Sequence, residues 1–150
     1  MELKLPPVVI FILFSIIMYL LGLFLPFGFF DFFGRVFMIK VLVVMAILVA
    51  MIALWQFYRL KTTIDPTNPS KTSNLVTSGI YQYTRNPMYL SMMLLLLALG
   101  IYLGNAFNIL SVAGFVGYMN RYQIIPEERV LAEKFGSVYN QYLVKTRRWF

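Results

Sequence analysis

The 150-residue chain is 60% hydrophobic, carries a formal net charge of +7 and contains neither cysteine nor histidine. A soluble domain of this size cannot bury so much apolar surface, so the composition predicts an integral membrane protein. The missing residue types exclude disulfides, thiol nucleophiles and imidazole bases, and without the commonest transition-metal ligands we expect no metal site. Because the basic residues are scattered among apolar segments, we expect membrane lipids rather than nucleic acid as the charged partner.

Two apolar segments in the first part of the chain predict membrane spans. The first covers residues 8 to about 30; it is too long for a signal peptide and has no small-residue cleavage site. A turn rich in glycine follows, and the second segment covers residues 36 to about 58. Aromatic and basic side chains close this segment, as is typical of a bilayer edge. We therefore expect two N-terminal spans in residues 1–61.

The most distinctive motif is GIYQYTRNPMY at residues 79–89, which follows a polar segment at residues 62–78. Long irregular loops are often functional, although a solvated connector explains this composition equally well. Asn86 and Pro87 predict a helix start, because asparagine can cap the first amides and proline suits the first position. Arg85 would add a full charge to the positive helix terminus, which favours an anion; alternatively the group is only a cap and anchor.

Two more apolar segments, residues 87–104 and 107 to about 125, predict spans three and four. The linker between them is so short that the two helices must form a tight antiparallel hairpin. Small residues four apart in both segments would let the backbones approach closely. These small residues are Gly100, Gly104, Ala113 and Gly117.

Polar residues near the end of the fourth segment are candidates for a site. Arg121 would be costly in a bilayer unless it faces protein or water, but the span could also end near Tyr118. Pro126 then predicts the start of an amphipathic C-terminal helix, with Glu127 and Glu128 in its first turn. Acidic residues in a first turn also favour the helix dipole, so both glutamates have a purely structural explanation.

The charges predict an orientation for the four spans. With the N-terminus inside, all basic residues except Arg35 and Lys40 fall on the inner side. The positive-inside rule then places both termini, the motif and the two glutamates on the cytoplasmic face. We expect one all-α, polytopic membrane domain over residues 1–150; the oligomeric state is not readable from the sequence.

LVTSGIYQYTRNPMY, followed about forty residues later by EERVL and a tyrosine-rich end, resembles a known family. The resemblance, over residues 75–150, is to the core of the isoprenylcysteine carboxyl methyltransferase family and its phospholipid methyltransferase relatives. These enzymes share a G-x-Y, an Arg-His-Pro or Arg-Asn-Pro followed by tyrosine, and an EExxL. The resemblance implies a membrane enzyme that takes S-adenosylmethionine from the cytosol and methylates a lipophilic or lipid-modified substrate. Residues 62–150 would be its cofactor-binding core.

The resemblance also implies roles for single residues. Those that would bind the cofactor are Leu75, Val76, Tyr81, Asn86, Pro87, Met88, Tyr89 and Glu127. Those that would take part in catalysis are Arg85, Arg121 and Glu128. Many relatives place an arginine one turn before the first glutamate to meet a substrate carboxylate. Here Gln123 stands at that position and Arg121 lies further back, so the identity of the methyl acceptor is not fixed by the resemblance.

Several acceptors and two other functions remain in view. Prenylated cysteine, lipids, isoprenoid acids and small hydrophobic thiols or amines are all possible acceptors, and an amine would need a glutamate or tyrosine as base. A sterol-type membrane reductase carries a similar Arg-His-Pro-x-Tyr and would use NADPH. Its dinucleotide phosphate would ask for more basic residues near the motif than Arg85 and Lys71. The third alternative is a membrane protein without enzymatic activity.

Overall fold

The computed structural model of the protein describes residues 3, 5–26, 28–60 and 74–150. Its α-helices are α1 (Pro7–Phe24), α2 (Arg35–Arg59), α3 (Pro87–Leu103), α4 (Asn108–Met119) and α5 (Ile125–Lys145). A 3-10 turn precedes α3 and a π-helical turn joins α4 to α5; these are Gly79–Gln82 and Asn120–Ile124. The described ranges contain no β-strand, which confirms the all-α class. Most of the polar segment falls on residues 61–73, outside the described residues.

Helices α1 and α2 are long and apolar enough to cross a membrane, with mean hydropathies of 2.7 and 2.9. Most of their large apolar side chains are exposed, as expected for helices that face lipid. Helix α3 is apolar but has 17 residues, and α4 has 12. Two of the four predicted spans are therefore long and apolar enough to cross a membrane, and the other two stay predictions.

Helix α1 ends six residues before the predicted boundary at residue 30. Leu25 leaves the helix because the following Pro26 disfavours a helical conformation in the residue before it. Gly28 then adopts a left-handed conformation with a φ of 64°. The apolar composition of this turn hid the boundary, whereas α2 begins and ends within one residue of its prediction.

Helix α3 packs against α1, α2 and α4, and apolar side chains from α1, α3 and α4 form the main core. The predicted hairpin is tight, since α3 ends at Leu103 and α4 begins at Asn108. The predicted pairing of small residues is wrong. Gly100 lies against Met18 of α1 as well as Asn108, whereas Ala113 and Gly117 are exposed.

The C-terminal helix does not restart at Pro126, as the sequence predicts, but continues from α4 through the π-helical turn. Proline has no amide hydrogen, so the carbonyl of Tyr122 loses its helical donor. The amide of Leu3 donates to that carbonyl instead, at 3.0 Å. Gly136 breaks α5 with a φ of 54°, and Val138 beyond it is exposed. The predicted continuous amphipathic face is therefore interrupted.

Candidate active site

A cavity of about 560 Å³ lies where α1 and α3 begin and α2 ends. This volume is within the range of small-molecule binding sites. Residues 74–76, the 3-10 turn and residues of α5 on both sides of Gly136 complete its wall. We call this side of the bundle the cavity end.

The structure brings all but one of the predicted site residues to this cavity. The residues in its wall are Leu75, Val76, Tyr81, Arg85, Asn86, Pro87, Met88, Tyr89, Glu127 and Glu128. Arg121 is exposed on the π-helical turn and does not belong to the wall that the described residues form. The predicted role of Arg121 therefore has no support from its position.

The motif folds into the 3-10 turn followed by the start of α3. Gly79 has a φ of 60° and lies directly against the side chain of Gln56, where no Cβ would fit. The hydroxyl of Tyr142 donates to the carbonyl of Tyr81 at 2.6 Å, which fixes the turn against α5. Helix α3 begins at Pro87, as predicted.

Asn86 stands at the N-cap position of α3, but its side chain does not cap the helix. Its Nδ2 atom donates to the carbonyl of Arg148 at 3.0 Å. This part of the prediction was wrong because the partner comes from the far end of the chain. The first amides of α3 consequently receive no side-chain cap from Asn86.

Arg85 is largely occupied by protein groups. Its Nη1 donates to the carbonyls of Leu143 and Thr146, and its Nη2 pairs with Glu128 Oε1 at 2.7 Å. Its buried Nε has no hydrogen-bond partner among the described residues. Arg85 thus anchors the end of α5 to the site and keeps one donor without a described partner.

Glu128 is held between two arginines. Arg85 Nη2 approaches one carboxylate oxygen and Arg148 Nη2 the other, both at 2.7 Å. Burial raises the pKa of Glu128, but the hydrogen bonds from Arg148 and Arg85 outweigh it and leave the pKa below its usual value. Glu128 is consequently an ion-paired anion, poorly suited to accept a proton.

Glu127 has a different environment from its neighbour. Tyr89 Oη and Gln123 Nε2 both donate to its Oε1, at 2.5 and 2.8 Å. Burial raises the pKa of Glu127 to about 7, against these hydrogen bonds, and the charge of Glu128 adds to the rise. No described residue donates to Oε2, and no described lysine or arginine pairs with this carboxylate. Glu127 therefore presents an open acceptor in the cavity wall.

Residues 146–149, which we call the C-terminal strap, lie across the motif. The amide of Arg85 donates to the carbonyl of Arg147 at 2.9 Å, and Thr84 Oγ1 donates to the carbonyl of Arg148 at 3.1 Å. Trp149 Nε1 donates to Asn120 Oδ1 at 3.0 Å. The basic residues and the tryptophan of this tail are by composition typical of an interfacial anchor. Its composition carries no signal for these contacts, since most of them use main-chain carbonyls.

The first two helices also contribute to the cavity, which the sequence did not indicate. Pro7 and Val8 from α1 and Leu54 and Phe57 from α2 form part of its wall. Apolar residues in a span carry no mark that separates cavity wall from lipid-facing surface. The cavity therefore extends beyond the predicted core of residues 62–150 and has an apolar side.

Comparison with known proteins shows the family of the chain. An uncharacterized protein of Haemophilus influenzae is 47% identical over 62 residues, which cover 41% of this chain and 98% of that protein. The phospholipid methyltransferase family matches residues 34–138, from the start of α2 into α5. This match contains every predicted site residue and confirms the resemblance seen in the motifs. The chain belongs to the phospholipid methyltransferase family of integral membrane methyltransferases.

Proposed function

We propose that this membrane methyltransferase transfers a methyl group from S-adenosylmethionine to a lipophilic acceptor that enters from the bilayer. The observation that carries the proposal is the open Oε2 of Glu127 in the cavity wall. Buried carboxylates are normally paired with a cation, because an isolated buried charge is costly. A cationic ligand is therefore the natural partner of this group.

The cavity offers complementary groups for both ends of the methyl donor. Glu127 would hold the cationic side, helped by the faces of Tyr81 and Tyr139 in the same wall. The free Nε of Arg85 and the uncapped first amides of α3 would hold the carboxylate. The residues present thus fit the donor, with its positive and negative groups assigned to different residues of the cavity wall.

S-adenosylmethionine supplies an electrophilic methyl group when bound. The protein's work is then to align two reactants and to exclude water, which needs no covalent help from a side chain. The apolar residues of α1 and α2 exclude water on one side, and the ion-paired Glu128 holds the other side rigid. A carboxylate acceptor needs no base; for an amine acceptor, Glu127 with its pKa of about 7 is better suited than Glu128.

The acceptor and the orientation complete the proposal. Val8, Leu54 and Met92 give the cavity an apolar side that suits a hydrocarbon chain, such as a lipid or a prenylated cysteine. We place four spans in the membrane, with both termini and the cavity on the cytoplasmic face, as the basic residues favour. A cytosolic donor and a bilayer acceptor could then reach the cavity from different sides.

Calorimetric titration of the purified full chain in detergent tests the donor. We expect S-adenosylmethionine and S-adenosylhomocysteine to bind and NADPH not to bind. Binding of NADPH alone would identify a reductase instead. If a folded sample binds none of the three, the proposed function is wrong.

A second assay tests the acceptor. The protein is reconstituted in vesicles, and transfer of labelled methyl groups to added lipid amines, prenylcysteine and isoprenoid acids is compared. We expect the label in the organic extract with one of these classes. Label that stays entirely in the aqueous phase would contradict a lipophilic acceptor.

A further inference from the structure

One residue of the C-terminal strap, Arg148, contacts both Glu128 in α5 and the residues just before α3. The guanidinium of Arg148 binds both oxygens of Glu128, with Nε at 3.0 and 3.2 Å and Nη2 at 2.7 Å. The carbonyl of the same residue accepts hydrogen bonds from Thr84 and Asn86, at the start of α3. Arg148 thus ties the first turn of α5 to the first turn of α3.

These contacts matter because Glu127 and Glu128 are adjacent in the sequence, yet donor binding needs one carboxylate free and the other paired. Glu127 must stay open to a cation, whereas Glu128 would compete for the same cation if it lost its own partners. Arg85 supplies one of these partners, although its guanidinium also serves two main-chain carbonyls. Arg148 supplies the two-point contact, the geometry in which an arginine binds a carboxylate most strongly.

We propose that Arg148 is a positioning residue of the methyl-donor site. Its side chain keeps Glu128 paired and its carbonyl holds Asn86, so that Glu127 and the start of α3 face the donor in a fixed arrangement. The inference rests on the proposed function and adds a residue to it. The strap lies beyond residues 34–138, which the family model matches.

The neighbouring Arg147 offers a matched control. Its carbonyl accepts from the amide of Arg85, but its side chain is exposed, so Arg147→Gln removes one positive charge and keeps the main-chain contact. Arg148→Gln removes the same charge together with the contacts to Glu128. Both variants are then combined with Glu128→Gln to form a double-mutant cycle.

The readout is the dissociation constant of S-adenosylhomocysteine for the full chain in detergent. We expect Arg148→Gln to weaken binding about tenfold, as for loss of a charge-assisted pair, and Arg147→Gln to change it less than about twofold. In the Glu128→Gln background we expect Arg148→Gln to have less than about a twofold effect, because no carboxylate is left to hold. A merely structural strap would lose the same affinity in both backgrounds.

Two results would overturn the inference: equal affinities of Arg148→Gln and Arg147→Gln, or an equal loss from Arg148→Gln in both backgrounds. If thermal unfolding shows that Arg148→Gln does not fold, Arg148→Lys replaces it. Lysine keeps the charge but not the two-point contact, so we expect about threefold weaker binding, with Arg147→Lys unchanged. A wild-type protein that binds neither S-adenosylmethionine nor S-adenosylhomocysteine would instead refute the proposed function itself.

Discussion

Asn105 and Arg35, at one end of the helical bundle, use their polar atoms differently from Glu127 and Arg85 at the other end. At the end away from the cavity, Asn105 Nδ2 donates to the carbonyls of Leu21 and Leu25, at 3.1 and 2.7 Å. The carbonyl of Leu25 lies just beyond α1 and that of Leu21 in its last turn, where the Leu21 carbonyl also accepts from the amide of Leu25 at 3.0 Å. Asn105 Oδ1 in turn accepts from the amide of Phe107. The whole side chain is used to close the turn between α3 and α4.

The side chain of Arg35 also donates to main-chain carbonyls at this end of the bundle. Its Nε and Nη2 donate to the carbonyls of Ile101 and Tyr102 at the end of α3, at 3.0 and 2.6 Å. At the cavity end, by contrast, Glu127 Oε2 and Arg85 Nε have no partner among the described residues. The side chains of Asn105 and Arg35 have their partners within the chain, whereas the groups that we assign to the donor keep a position without a described partner. Asn108, at the start of α4, is an exception at the far end, because its buried Nδ2 and Oδ1 also have no partner among the described residues. Mutations at the two ends should accordingly separate stability from binding.

The largest effect is expected for Glu127→Gln. Glutamine keeps the shape but loses the charge that a cationic donor needs, and a hydrogen bond to a charged group contributes about 1.5–3 kcal/mol. We expect donor affinity to fall about 100-fold, with unchanged or higher thermal stability because a buried charge is removed. Titration calorimetry and thermal unfolding in detergent measure both quantities.

Glu133→Gln is the matched control, since Glu133 lies on the exposed side of α5. It should leave donor affinity unchanged. If Glu127→Gln binds the donor as well as Glu133→Gln does, the cationic part of the ligand does not meet Glu127, and the assignment of the cavity end is wrong.

The second-largest effect is expected at the end of the bundle away from the cavity. Asn105→Ala removes the buried side chain that donates to the carbonyls of Leu21 and Leu25, and the lost hydrogen bonds cost about 1 kcal/mol of stability. We expect a lower unfolding temperature and an unchanged donor affinity. Asn140→Ala, at an exposed position of α5, should change neither quantity. A loss of donor affinity in Asn105→Ala without loss of stability would mean that the two ends are not separate.

The helices were predictable from the sequence wherever polarity changes sharply along the chain. Pro87 marks the start of α3, and charged residues bound α2 at both ends. The end of α1 was missed because an apolar turn follows an apolar helix. Likewise, a single glycine inside a helical pattern does not predict a break, so the interruption of α5 at Gly136 was not predicted.

The sequence predicted most of the residues that the structure brings to the cavity, but not how they pair with one another. Glu127 and Glu128 are adjacent and chemically identical, and only their partners distinguish them. Glu128 meets Arg148, 20 residues away, and Arg85, 43 residues away. Glu127 meets a tyrosine of α3 instead. Such pairings depend on tertiary structure, which no local pattern encodes.

At the cavity end, both stability and donor affinity should depend on pH through Glu127. Burial raises the pKa of Glu127 from 4.5 to about 7. Because the folded protein holds this proton more tightly than the unfolded chain, its contribution to stability is present below pH 4.5 and is lost as the pH rises to about 7. Donor binding changes the other way, since a cation needs the ionised carboxylate. We expect affinity to rise about eightfold from pH 6 to 7.5.

Calorimetry at several pH values measures this dependence, and Glu133→Gln should reproduce it. Glu127→Gln should remove it, leaving only the titration of the ligand itself. A rise that persists in Glu127→Gln would show that another group controls the pH dependence of binding.

The smallest effect is expected for Tyr89→Phe, which removes one hydrogen bond to Glu127 and leaves the ring in place. Because the hydroxyl lowers the pKa of Glu127, its loss should move the midpoint of the pH dependence upward and weaken donor binding about threefold near neutral pH. Tyr102→Phe, at an exposed position of α3, is the control and should have neither effect. A weaker affinity with an unmoved midpoint would mean that Tyr89 contacts the donor directly rather than acting through the carboxylate. Glu127 would then share the cationic side of the cavity with an aromatic ring, and the vacant position at this end would belong to two residues.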